Sequence, residues 1–132
     1  MATRGIAFLG GYLINLLEKT STSSNDASLK TTFQGVPLWI ILLTVAVLPG
    51  IIEEIIFRAG IMHTLFSKHD SIGVIINSVL FGALHMPATL LEFAIYFLMG
   101  LVFSVIFLKS KQLEISILVH ISNNLLATIG MF

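Results

Sequence analysis

Apolar residues run in long blocks along this chain, separated by short polar clusters. From Val36, VPLWIILLTVAVLPGIIEEIIF continues into RAGIMHTLF, a stretch of about 30 residues with helical character. IGVIINSVLFGALHM (72–86) forms a second block and stops at Pro87. ATLLEFAIYFLMGLVFSVIFL (88–108) is a third, and ISILVHISNNLLATIGMF (115–132) a fourth. Between them lie two polar turns, SKHDS (67–71) and KSKQLE (109–114). Each block approaches the roughly 20 residues a helix needs to cross a bilayer. No alternating pattern with turn signals recurs, so strands are not expected. The expected fold class is all-α, a polytopic transmembrane helix bundle of four core spans.

Residues 5–17 (GIAFLGGYLINLL) are apolar but end at Glu18 and Lys19. Thirteen residues are short for a span, so they are expected as a marginal span or a membrane-surface helix. Residues 18–35 are rich in Ser and Thr and read as one long polar loop. Pro37 suits a first helical turn. Pro49-Gly50 is expected to kink or loosen the first long helix, one turn before a pair of glutamates.

Composition agrees with lipid as the solvent. The chain is 56% hydrophobic and 11% charged, with mean hydropathy +0.99. A soluble domain is about 25% charged, so this chain lacks the polar surface to cover itself in water. Net charge is zero and no basic tract occurs, so nucleic acid is not an expected partner. With no cysteine, disulfides, thiolate metal sites and a cysteine nucleophile are excluded. Lys68, Lys109 and Lys111 fall on the face with the 67–71 and 109–114 turns, against Lys19 and Lys30 on the other. The positive-inside rule then makes the first face cytoplasmic.

Against this background the polar residues inside the blocks stand out. A charge at membrane depth costs about 2.5–3.5 kcal/mol on insertion scales. Glu53, Glu54 and Arg58 nevertheless share the first long helix. Arg58 follows Glu54 by four residues and can pair with it on one face, which leaves Glu53 without a partner. His85 closes the second block with Phe81 one turn earlier, and taken alone it reads as a packing histidine. His120 and Asn124 are spaced i, i+4 on the fourth block and face the bundle together, while Asn123 points elsewhere. At 1.5 Å per residue, Glu53 and Glu54 lie roughly 18–20 Å and His85 roughly 20 Å from the 67–71 face. On the same count Asn124 lies roughly 14 Å and His120 roughly 8 Å in, so His120 is expected nearer that face. His63, His69 and Glu92 are expected at the interfaces in solvated or structural roles. Gly82 and Gly100 suit close helix approach, and Trp39 an interfacial anchor.

Carboxylate, imidazole and amide converging from three helices suggest a hydrolytic site. A carboxylate can take a proton from water, a histidine can share it, and His and Asn can donate to an oxyanion. Glu53, His85 and His120 could instead ligate a divalent metal such as zinc, although the HExxH motif is absent.

The same residues resemble the motifs of the CAAX protease and bacteriocin-processing family of intramembrane proteases, which includes the CAAX prenyl endopeptidases. EExxxR is matched by Glu53 to Arg58, FxxxH by Phe81 to His85, and HxxxN by His120 to Asn124. All three occur in order, each on an apolar block, within about residues 36–130. The resemblance implies that 36–132 is the protease core, preceded by the 1–35 hydrophobic segment and polar loop. It implies an endopeptidase in which Glu53 and His85 activate water, and His120 and Asn124 stabilise the oxyanion. Glu54 and Arg58 would then support the first motif, without a required metal. It implies peptide or protein-tail substrates, in CAAX-type or bacteriocin processing and self-immunity, in a bacterial plasma membrane. Access from the cytosolic side is also implied, in agreement with the lysine count. Ala59 follows the motif arginine where relatives often have glycine, and many relatives carry more spans before the first motif. Fewer spans point to a homo-oligomer or a degenerate member, and the intact motifs argue against degeneracy. The alternative function is a non-enzymatic membrane immunity or partner-binding protein on the same scaffold.

Overall fold

In the computed structural model, which describes residues 2–20 and 22–132, the described chain is helical with no strand. Six helices follow in order: α1 Ala2–Glu18, α2 Ser24–Thr32, α3 Leu38–Leu65, α4 Asp70–Leu84, α5 Leu90–Ser110 and α6 Leu113–Met131. Tight turns make α3 to α6 run alternately up and down. Among the described residues α3, α5 and α6 are long and apolar enough to cross a membrane. At 15 residues, α4 is shorter than a plain span, because Asp70 opens it and Pro87 stops it. The outer surface is apolar: Ile52, Ile55 and Ile56 are exposed on either side of the fully buried Glu54, as lipid contact requires.

The expected N-terminal helix is present over residues 2–18 and packs along α5, with Gly10 against Ile95. One feature differs from the sequence expectation: the expected polar loop contains α2, with Ser21 outside the described residues. Its start is fixed by Ser23, whose hydroxyl accepts from Asp26 N–H at 3.2 Å. The Ser23-to-Asp26 spacing is a helix-start signal that the polar composition concealed.

α3 is not a uniform α-helix. It takes i→i+5 pairing over Leu42–Val47, returns to α over Leu48–Glu54, and widens again over Ile55–Leu65. Pro49 accounts for the first wide turn, because it has no N–H to donate and its ring crowds the carbonyl one turn back. The predicted loosening is therefore a wide turn next to the proline. Gly50 then lets α3 touch α6. A Cβ there would sit 2.7 Å from Ile121 Cγ1 and 3.1 Å from its backbone nitrogen. Gly50→Val is therefore expected to cost about 1–3 kcal/mol, the usual range for overpacking. An unchanged unfolding midpoint in detergent would refute this close fit.

α5 begins at Thr89, whose hydroxyl accepts from Glu92 N–H at 3.2 Å, and ends at Lys111 in the left-handed region (φ 53°). α4 and α5 meet at glycines as expected: Gly82 lies against Phe93, and Gly100 against Phe81. The core that results is Phe57, Phe81, Met99 and Phe103, contributed by α3, α4 and α5.

Candidate active site

Glu54 is the most firmly held of the site residues. It is fully buried, and both carboxylate oxygens are occupied. Oε1 lies 3.2 Å from Arg58 Nη1 and accepts from His120 Nδ1 at 2.8 Å. Oε2 accepts from the Ser116 hydroxyl. The predicted Glu54–Arg58 pair is thus present. Arg58, also fully buried, donates from Nη2 to the Gly100 carbonyl at 3.0 Å. Its Nε and Nη1 make no hydrogen bond, so the 3.2 Å approach to Glu54 is an ion pair without hydrogen-bond alignment. The faces of Phe57, Phe81 and Phe103 surround the guanidinium at 5.3–5.8 Å. Behind it, Ser104 donates to the same Gly100 carbonyl and accepts from Asn77.

Glu53 is different. Its Oε2 is buried with no hydrogen-bond partner, 3.8 Å from His120 Nε2, and the side chain keeps 17% exposure toward a cavity. The neighbour that satisfies Glu54 therefore leaves Glu53 free. His120 stacks on Phe103 with centroids 4.3 Å apart and planes 16° apart. With Nδ1–H committed to Glu54, its Nε2 is turned toward Glu53. His120 thus stands at the level of both glutamates, not nearer the 67–71 face as expected. The depth count assumed a plain α-helix, whereas residues 55–65 of α3 are wider.

His85 caps the end of α4. Its Nδ1 donates to the Phe81 carbonyl at 2.9 Å, so in the neutral ring Nε2 carries the lone pair. Phe81 thus contributes its backbone as well as its ring. Asn124 is half-buried beside Asn123, whose Nδ2 lies 3.4 Å from Asn124 Oδ1. Asn123 does not point away. It is buried, has an unpartnered Oδ1, and lines the same space as Asn124. α6 is covered on more than one face, so a helical position off the His120 line is still inside.

Glu53, His85, His120, Asn123 and Asn124 all border one cavity of about 540 Å³. Its wall is completed by Tyr96, which stacks on His85. Sequence reasoning missed Tyr96 and Ser116, because each is defined by a partner on another helix, and Asn123, because α6 is covered on more than one face. Among the described residues, no group of three His, Cys, Asp or Glu side chains is placed to hold a metal ion. His63 and His69 are exposed and remote from the cavity. Glu92 is buried and structural, not solvated: it accepts from the backbone of Ser24 and Ala88 and from the Ser24 hydroxyl.

The cavity continues from Glu53 to Asn25, Asp26 and Lys30 of α2. Burial there pushes the Asp26 carboxyl above its ordinary range, against the lowering effect of the Ser23 hydroxyl. α2 sits at the bundle end that holds the 85–89 turn, opposite the turns with Lys68 and Lys111. Cytosolic access and the lysine count therefore designate opposite faces, so the two expectations do not agree. His85 ends α4 and Asn124 lies toward the end of α6, which places the cavity in the half nearer α2.

No solved structure matches the chain. It is 26% identical over 120 residues to the UPF0177 protein YvdC of Lactococcus lactis subsp. lactis (strain IL1403), covering 91% of this chain and 46% of that one. With the Putative membrane peptidase YdiL of Bacillus subtilis (strain 168) it shares 33% identity over 103 residues, covering 77% of this chain and 41% of that one. The chain thus spans less than half the length of these curated relatives. A family model described as type II CAAX prenyl endopeptidase Rce1-like matches residues 35–126. That match covers more than half of the chain, so this integral membrane protein belongs to the Rce1-like family of membrane proteases.

Proposed function

We propose that the protein is an intramembrane endopeptidase that hydrolyses peptide bonds with a water activated by Glu53 and His85. The observation that carries this reading is the division of labour between adjacent glutamates. Glu54 is saturated by Arg58, Ser116 and His120, whereas Glu53 has an unpartnered oxygen and borders the cavity.

In this mechanism a water bound between Glu53 and His85 gives up a proton as its oxygen attacks the scissile carbonyl carbon. The carbonyl electron pair moves onto oxygen. The Asn124 amide and, in the doubly protonated ring, His120 Nε2–H donate to that oxyanion. When the pair returns, the C–N bond breaks and the held proton passes to the amine nitrogen. Glu54 and Arg58 act as positioning residues through His120. No covalent intermediate and no metal enters the scheme. Substrates are peptides or protein tails, in CAAX-type or bacteriocin processing or self-immunity, reached from the cytosol of a bacterial cell. Because the cavity runs toward α2, this reading places the α2 face in the cytosol. Closing the cavity wall with a second copy of the chain is compatible with the apolar outer surface.

The test is single-turnover cleavage of a peptide library by purified protein in lipid, with and without chelator. Cleavage indifferent to the chelator is expected. Loss with chelator and recovery with zinc would replace the glutamate scheme with a metal site at Glu53, His85 and His120. An immunity phenotype untouched by Glu53→Gln would favour the non-enzymatic binding protein.

A further inference from the structure

His85 is held by more than its own helix. Tyr96 of α5 lies flat against the imidazole, with centroids 4.1 Å and planes 12° apart. The Tyr96 hydroxyl is in turn 3.2 Å from the Ser23 hydroxyl, which caps α2. One turn before Tyr96, Glu92 grips both neighbours of this contact. It accepts from Ser24 N–H at 2.7 Å and Ser24 Oγ at 2.5 Å, and from Ala88 N–H at 2.8 Å. Ala88 belongs to the turn that follows His85, where Met86 is forced to φ 47° ahead of Pro87. α5 therefore presents two polar groups at i, i+4 that tie the start of α2 to the turn carrying the histidine.

We propose that Tyr96 is a positioning residue for His85, and that Ser23, at the start of α2, sets Tyr96 in place. Two constraints define the ring. The Phe81 carbonyl selects Nδ1 as the protonated nitrogen, and the Tyr96 face fixes the plane of rotation. Together they aim the Nε2 lone pair at the cavity. A histidine at the C-terminal end of a helix has no following turn to brace its far side, and the stacked phenol supplies that brace. A misplacement of about 1 Å at a reacting group can cost on the order of 10²-fold in rate, so a loose ring would be felt in turnover. Ser23, which precedes the family-matched region, thereby acts on His85 through Tyr96. This rests on His85 being the water-activating group.

The test uses full-length protein in lipid with two readouts. Nitrogen-15 spectra of labelled histidine, with His85 identified by the loss of its signal in His85→Gln, should show the Nδ1–H tautomer in wild type. Tyr96→Leu should let the ring turn off the Phe81 carbonyl and so convert His85 toward the Nε2–H form, and Tyr96→Phe, which keeps the stacked ring, should restore most of the wild-type pattern. In single-turnover cleavage, Tyr96→Leu should lower kcat by about 10–100-fold with KM nearly constant, and Tyr96→Phe should lose less. Ser23→Ala, outside the spans, should shift both readouts in the same direction but less. An unaltered His85 tautomer in folded Tyr96→Leu would overturn the proposal, and so would a loss confined to KM. Absence of cleavage by wild type would end the peptidase reading alone, because the tautomer still decides whether Tyr96 positions His85.

Discussion

Replacing Glu53 by glutamine should lower peptide cleavage by about 10²–10⁴-fold, the range over which a positioned general base contributes, while leaving the fold intact. Glutamine keeps the size and the hydrogen-bonding geometry of the side chain but cannot take a proton from water. Glu53 makes no hydrogen bond through Oε2 and faces the cavity, so the change breaks no structural contact there. Its neighbour makes the control. Glu54→Gln would disturb Arg58, His120 and Ser116 together, and should reduce stability as well as rate. The check is cleavage rate and unfolding midpoint measured on the same preparations. Equal rates for wild type and Glu53→Gln would remove Glu53 from the chemistry.

Arg58→Met should be the most destabilising single change in the bundle, by about 3–5 kcal/mol, because it strands a buried carboxylate. Methionine fills much of the space among Phe57, Phe81 and Phe103, so packing loss is small. What remains is Glu54 with two donors and no countercharge. Arg58→Lys should be only a partial rescue, since an ammonium cannot reach Glu54 and the Gly100 carbonyl with a planar fork while lying among three rings. The double variant Glu54→Gln with Arg58→Met should recover a large part of the loss, because the charges leave together. Unfolding in detergent, followed by helical signal, measures each. A loss below about 1 kcal/mol for Arg58→Met would show that Glu54 is satisfied without the guanidinium.

Much of this site was legible in the amino-acid order because its key relations are local. Glu54 and Arg58 pair at i, i+4, and Phe81 and His85 meet at the same spacing, where one turn of helix fixes the contact. The spans were legible because lipid demands unbroken apolar runs. What escaped was non-local. Ser116 meets Glu54 across 62 residues, and Ser24 meets Glu92 across 68. α2 was hidden because none of its residues is fully buried and it docks through polar groups at its first turn. Asn123 and the level of His120 were misjudged by treating each helix as an isolated, regular rod. Wide turns in α3 and the multiple contacts of α6 break that assumption.

The distribution of the buried ion pair over a single helix bears on how the chain enters the membrane during synthesis. Glu54 and Arg58 emerge four residues apart and can neutralise each other as α3 leaves the translocation machinery, before α4, α5 or α6 exists. The histidine and serine that complete Glu54 arrive on α6, more than 60 residues later. The Glu54–Arg58 charges thus cancel early, and Glu54 gains its serine and histidine donors only once α6 has followed.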